Sequence, residues 1–421
     1  MKISAKTTIA ITLLSFAGEL AWGVENQYFN VFLYNVIIPD PIYISIMVAA
    51  SALTATLTSI FFGALSDKIG KRKVFFLIGL PFWALTTAIF PLAGLVRPVI
   101  LAASLAIVFD CVMTFFGSMS NDAALKAYAT DVTTLKNRGR ISAVMEFTVL
   151  LATLVVYGAS GFIIESLGYY YFFYIIGASV GVLGIIGAII APEVKIKKTD
   201  KKYWETIKTT FSISELRNNR DVFLTLSAAM LWGIAFNVFF PFLIIYMQKH
   251  LELSLEESSL LIFVAILIAI LISIPVGFIV DKIGRKKIAI ISVFIESFSL
   301  IFFGLSEKLI FLGLSGVGMM FAMAMWDISS VTWIRDLYPE DKRGQFSGYY
   351  IVFTVLAAMG IGPFIGSAIA KTSGKTFIDE FGQIGYIPPP LMFIFAGVLV
   401  LTAIIPLLFA NEKNRRRQMK Q

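Results

Sequence analysis

Apolar stretches of about 20 residues recur along the whole of this 421-residue chain, and no other feature limits its fold so tightly. A helix of about that length crosses the hydrocarbon of a bilayer with every backbone hydrogen bond made internally. The runs lie near 7–36, 43–66, 74–96, 98–125, 141–164, 169–191, 221–248, 256–280, 288–306, 309–335, 345–370 and 389–410. Charged residues are only 15% of the chain, against about a quarter in soluble proteins. The expectation is an all-α membrane protein of twelve transmembrane helices.

The first run has a basic start like a signal peptide, but Glu19 interrupts it and no clean cleavage site follows, so it reads as a retained helix. Orientation follows from basic residues. Of the 35 Lys and Arg, only Arg97, Lys249, Lys308, Lys371 and Lys375 fall on the outer side when both termini are placed in the cytoplasm. That bias accounts for the +8 charge without nucleic acid. Between the two sets of six runs lies Pro192–Arg220, rich in Lys, with Tyr203, Trp204, Ile207 and Phe211 at helical spacing. It reads as an interfacial helix on an anionic leaflet or as a solvated linker. The expected organisation is two six-helix bundles, residues 1–191 and 221–421, joined by 192–220. The expected setting is a cell membrane, with the chain working as a monomer.

One stretch occurs twice. Gly63 to Lys73 reads GALSDKIGKRK, and Gly277 to Lys287 reads GFIVDKIGRKK, with Gly, Asp, Lys, Gly and a basic pair at the same spacing. Gly63, read at a helix end, is expected to allow close helix approach. Asp67 and Asp281 are expected to accept hydrogen bonds from a helix N-terminus. The halves match elsewhere too. Trp22-Gly23 recurs as Trp232-Gly233, and Asp122, Asp131 and Arg138 recur as Asp327, Asp336 and Arg343 at unchanged spacing. Such repeats are common in secondary transporters, whose halves rock about a midplane site.

The hairpins resemble the G-x-x-x-D-(R/K)-x-G-(R/K)-(R/K) signature of the major facilitator superfamily, and the six-plus-six layout is similar to that family along essentially the full length. The resemblance implies alternating access. It also implies a cytoplasmic gate in which Asp67 and Arg72, and in the second half Asp281 and Arg285, help lock the bundle ends. Lys68 and Lys282 stand where many members carry Arg, which weakens bidentate pairing with a carboxylate. Asp122, Asp131, Asp327 and Asp336 lie near Arg138 or Arg343 and read as gate salt bridges or as plain helix-end neutralisation. Glu146 is placed to join them.

Ionisable groups at membrane depth are costly, so each is a functional candidate. Glu19 lies about a dozen residues into the first span, and Asp110 about a dozen into the fourth from its outer end. At 100° per residue Glu19, Trp22, Gly23, Asn26 and Asn30 share a stripe, and Glu25 falls off it. Thr114, Gly117, Ser118 and Asn121 share the face of Asp110. In the superfamily the first and fourth helices line the cavity, so the resemblance brings Glu19 and Asp110 together as an ion-coupling pair. Two carboxylates in a low-dielectric site cannot both ionise easily, so the pair can take up a proton, or sodium if further oxygen ligands join. The structural alternative is that hydroxyls satisfy each one. Trp22, Asn26, Asn30, Asn121, Trp232, Asn237 and Trp326 are the candidate solute ligands, with amides to hydrogen-bond and indole faces to stack on a ring or hold a cation. Simple packing is the alternative for each. Glu296 falls mid-span in the ninth helix with no role assigned.

Enzymes are excluded, because no phosphate loop, zinc spacing or nucleophile–base set appears. No cofactor is expected beyond the coupling ion, H+ or Na+. Cys111 and His250 are single and without a partner set. No Lys or Arg lies centrally in any span, which argues against organic anions as cargo. Two readings remain: ion-coupled symport of a neutral polar solute such as a sugar, or proton-coupled efflux of lipophilic cations. Exporters of the family commonly carry an Arg in the fourth helix and G-x-x-x-G-P in the fifth. Here the fourth has no midspan Arg and the fifth reads GASGFIIESLG, which favours symport. A non-transporting sensor on the same fold would call for an appended soluble domain, and none is seen.

Overall fold

The computed structural model describes residues 4–134, 137–194, 218–339, 343–379 and 382–412. Twelve helices among them are long and apolar enough to span a membrane. They are α1 (Ala5–Ile37), α2 (Pro41–Ile69), α3 (Lys73–Leu95), α4 (Val99–Asp131), α5 (Gly139–Leu167) and α6 (Tyr169–Ile190) in the first half. The second half holds α7 (Arg220–Lys249), α8 (Leu255–Val280), α9 (Arg285–Gly304), α10 (Leu309–Leu337), α11 (Gln345–Ser373) and α12 (Leu391–Phe409). The proposed interfacial helix and the basic C-terminal run lie outside the described residues, as do the side chains of Arg138, Asp281 and Arg343.

Local chemistry fixes the helix ends. Asp40 caps α2 by accepting from the Ile42 N–H at 3.0 Å, with Pro41 preset at the first helical position. Gly70 (φ 71°, ψ 23°) ends α2 in the left-handed helical region, and Gly284 (φ 100°, ψ 142°) leads into α9 in a different shape, each with a positive φ that disfavours any side chain. The repeated hairpin therefore needs its second glycine. Its first glycine is not at a helix end: α2 continues past Gly63 to Ile69, and a Cβ built on Gly63 or Gly277 meets nothing within 4 Å. The expected close helix approach is absent at both positions.

Several long helices contain wider, π-type turns: Glu25–Phe29 and Leu33–Ile37 in α1, Ser118–Leu125 in α4, Asp327–Val331 in α10 and Val352–Ala357 in α11. Each inserts an extra residue and rotates everything beyond it, which a fixed 100° wheel cannot follow.

The described residues fall into two compact units. In the first, α6 packs against α3 and α1, α5 against α1, and α4 against α2 and α3. A cluster of aromatic rings from Phe29, Phe32, Phe90 and Phe173 fills its interior near one end of the spans. This unit also contains Pro241–Leu260 and Gly374–Ile387 from the second half of the chain. Ser259 shares a 2.8 Å hydrogen bond with the Tyr28 hydroxyl, Asn35 donates to Gln248 at 3.0 Å, and Tyr34 donates to the Tyr386 carbonyl at 2.6 Å. A short antiparallel hairpin, β1 (Thr376–Ile378) and β2 (Ile384–Tyr386), forms in the last of these segments. In the second unit α7 packs on α11 and α12, and α9 on α10 and α12, the same pattern as in the first. Its core gathers Trp232, Ala289, Val293, Trp326, Trp333 and Val400.

Candidate ion-coupling and gate sites

Asp110 is brought together with Glu25, not with Glu19. The two carboxyls interact directly, and both are buried, Glu25 at 8% exposure and Asp110 at 2%. The reason is helix length. α1 runs to Ile37, so Glu25 lies twelve residues from that end, while Asp110 lies eleven residues from Val99, where α4 begins at the same side. At about 1.5 Å per residue the two reach equal depth, and Glu19 sits about 9 Å deeper. Counting from the far end of α1 would have found the pair.

Hydroxyls hold Glu25 in place. Ser51 on α2 donates to Glu25 Oε1 at 2.7 Å, Thr114 on α4 donates to the same oxygen at 2.9 Å, and the two hydroxyl oxygens are 2.7 Å apart. With both hydroxyls turned to Glu25 Oε1, that oxygen accepts twice, and the Ser51–Thr114 contact shares one of the same hydrogens. Glu25 Oε2 and Asp110 Oδ1 are both buried without a hydrogen-bond donor. Ser51 was missed because α2 carries several hydroxyl residues, Ser45, Thr54, Thr56, Thr58 and Ser59 among them, and their spacing does not mark one as the partner.

Glu19 occupies a second, half-buried position. Its carboxylate is hydrogen-bonded by Asn121 and lies within electrostatic reach of Asp122, Lys126 and Glu146. Lys126 pairs with Asp122 at 2.8 Å, one turn along α4. Helical geometry brings Lys126 within reach of Asp122, while the Arg138 side chain expected near it lies outside the described residues. Of the other candidate ligands, Trp22 is half-buried beside Trp83, with centroids 4.9 Å apart, and Asn26 is exposed. Asn26 and Asn30 spend one amide hydrogen each on Trp22 and Asn26 carbonyls, and Asn237 spends one on Gly233. In the second unit Trp232 and Trp326 stack on each other, centroids 4.4 Å apart and planes 6° from parallel, within the core.

At the hairpin, Arg72 is the hub. Its side chain is 5% exposed and donates to Asp67 at 2.6 Å, to Asp131 at 3.0 Å and to the Ser66 hydroxyl. Asp67 thus serves the guanidinium; the start of α3 has no side-chain cap, so the expected capping role is corrected. In the second unit Arg285 pairs with Asp336 and donates to the Thr332 carbonyl. There the helix N-terminus is capped from elsewhere, by Glu412, which accepts from the Arg285 N–H at 2.8 Å. The lysine that follows the arginine in each hairpin also has a partner. Lys73 donates to the carbonyls of Ile189 and Ala191 at the end of α6, and Lys286 to those of Leu408 and Ala410 at the end of α12. Asp327 is exposed at the π turn of α10.

The family model described as Major Facilitator Superfamily matches residues 7–272 and 225–420. The chain belongs to the Major Facilitator Superfamily. No individually curated protein matches it in sequence. Solved structures agree on the fold at low identity. The nucleoside transporter NupG superposes with a TM-score of 0.71 at 14% identity, over 96% of this chain and 98% of that one. A D-xylose-proton symporter gives 0.72 at 18%, covering 96% and 98%. The inward open xylose transporter XylE from E. coli gives 0.69 at 16%, covering 96% of each chain. As a member of the superfamily the chain is a multi-pass secondary transporter of small-molecule solutes and not an enzyme.

Proposed function

We propose that this transporter is an ion-coupled symporter of a neutral polar solute such as a sugar, with the Glu25–Asp110 pair as its coupling site. The carrying observation is two buried carboxyls in direct contact with no salt-bridge partner among the described residues. Such a pair binds a cation or a proton far more readily than it stands empty. A proton is the simpler occupant, since two carboxyls in contact can share one without further oxygen ligands, whereas a metal cation calls for several. Glu19, Asn121, Asn26 and Trp22 are the solute-facing groups on this reading, with Asp110 retained in the coupling role and Glu25 replacing Glu19 in it. The superposing nucleoside and xylose transporters carry neutral solutes that contain a sugar ring, which is consistent with this choice. Residues 1–191 and 221–421 are the rocking halves, with both termini cytoplasmic and the Arg72 and Arg285 networks at the inner gate.

Proton-coupled efflux of cations is the second reading, favoured by one observation: Glu19, Asp122 and Glu146 outnumber Lys126 in their cluster. Proteoliposome counterflow with a panel of sugars, nucleosides and lipophilic cations separates the two. Symport requires solute accumulation driven by an imposed pH gradient or, in a parallel arm, a sodium gradient. Glu25→Gln and Asp110→Asn should each lose that accumulation while retaining counterflow. Full accumulation in both variants, or pH-driven exclusion of a cationic dye, overturns the assignment.

A further inference from the structure

Glu296 lies eleven residues into α9 and is 2% exposed. Its Oε2 has no hydrogen-bond partner, and no hydroxyl or amide is recorded against the carboxyl at all. It sits on the stripe Ala289, Val293, Leu300 and Phe303, every one buried, while Phe294 and Phe298 on the opposite face are strongly exposed where lipid would lie. Ala289 and Val293 belong to the core of the second unit with Trp232 and Trp326. The carboxyl thus occupies a position that the helix otherwise gives to hydrocarbon.

Its surroundings offer no charge. The helices packed on α9 are α10 and α12, with α8 reaching Ile288 through Val276 and Val280. From Leu309 to Trp326 and from Leu391 to Phe409 neither α10 nor α12 carries an ionisable side chain. The charged groups on packed elements are Asp327, Arg335 and Asp336 on α10, Asp281 and Lys282 after α8, Glu256 and Glu257 at the far start of α8, and Arg285, Lys286 and Lys287 on α9 itself. Apart from Asp327 at the π turn of α10, they lie toward helix ends. One turn along, α9 is packed closely on α10: a Cβ on Gly318 would lie against Ser299 Oγ.

An ionised carboxylate so buried and with no hydrogen-bond donor costs far more than the neutral acid. A leucine of similar size would fill the site with no desolvation cost. Packing therefore does not account for a carboxyl, whereas holding a proton does. We propose that Glu296 is a second proton-binding site, in the second compact unit and separate from the Glu25–Asp110 pair. It releases its proton to water and regains it as α9 and α10 repack during transport. The Trp232–Trp326 stack belongs to the same core, and parting of those two rings is the route by which water reaches the carboxyl.

This inference rests on the proton-coupled reading only for its transport arm. The first measurement needs no transport: infrared spectra of the purified full-length protein, in which a buried protonated carboxyl gives its own C=O band. A band lost in Glu296→Gln, kept in Glu25→Gln, and shifted on exchange into deuterated buffer is the expected result. The second measurement is the proton-to-solute ratio and the pH-driven accumulation in Glu296→Gln and Glu296→Leu, with counterflow as the folding control. The ratio should fall and accumulation should weaken while counterflow persists. No band assignable to Glu296, or a band that never exchanges, overturns the proposal, as does an unchanged ratio in Glu296→Leu. If the native protein shows no pH-driven uptake, the symport reading fails, and the band and its exchange still decide Glu296.

Discussion

Replacing Arg72 by alanine should destabilise the first unit by about 3 kcal/mol. The guanidinium is 5% exposed and makes charge-assisted bonds to Asp67 and Asp131, each worth about 1.5–3 kcal/mol when fully shielded. Asp67 is 51% exposed, so water recovers most of its share; Asp131, at 22%, recovers less. Ser66 keeps its 2.9 Å bond to the Gly63 carbonyl and adds little. The remainder is about 3 kcal/mol, which for a unit of this size lowers Tm by roughly 6–12 °C. Fluorescence-detected size exclusion after heating in detergent reads this directly. Arg72→Lys keeps the charge but cannot fork between two carboxylates, and should lose about half as much. Lys71→Ala, at an exposed position, should stay within about 0.5 kcal/mol of the native protein. If Arg72→Ala and Lys71→Ala melt together, the hub does not exist and the hairpin's basic residues are interchangeable after all.

Lys73→Met and Lys286→Met each uncap the end of a helix, α6 and α12 respectively, and should cost about 1 kcal/mol apiece in thermal stability. The same melts on the single and double variants check this, and the losses should add because the two lie in separate units. Gly161→Leu should abolish the packing of α5 on the start of α8, since even a Cβ there falls 2.7 Å from the Leu255 carbonyl and 2.8 Å from Glu256 Cα. Backbone cannot yield as a side chain can, so reduced yield of monodisperse protein is expected, against a native-like Phe162→Leu control at the exposed neighbouring position. Tyr28→Phe removes the buried 2.8 Å bond to Ser259 and should cost about 1 kcal/mol, read as a small drop in Tm. A Tm equal to native would mean that the hydroxyl finds no net gain there.

The repeated hairpin was legible because its spacing is local. Gly70 and Gly284 close turns that only a few residues define, and the sequence shows those residues side by side. The three basic residues after Gly70 look equivalent in the sequence, yet one is exposed, one is buried between two aspartates and one caps a helix more than a hundred residues away. The Glu25–Asp110 pair was half visible. Asp110 was identified from its depth, but its partner was missed because α1 is longer than one membrane crossing requires and carries π turns that break the wheel. Trp232 and Trp326 read in the sequence as separate candidate faces for a solute, and no signal there shows that they stack on each other.

Twelve apolar runs, their repeat and their loop charges come from the sequence by itself, since the length of hydrocarbon to be crossed and the cost of bare backbone inside it admit little else. Which carboxyl meets which is a tertiary decision. It depends on where each helix ends, how its turns are wound and which hydroxyl a third helix presents, and these are settled only when the helices are packed. Glu25 gained Asp110, Ser51 and Thr114 in that way, and Glu296 was left with hydrocarbon.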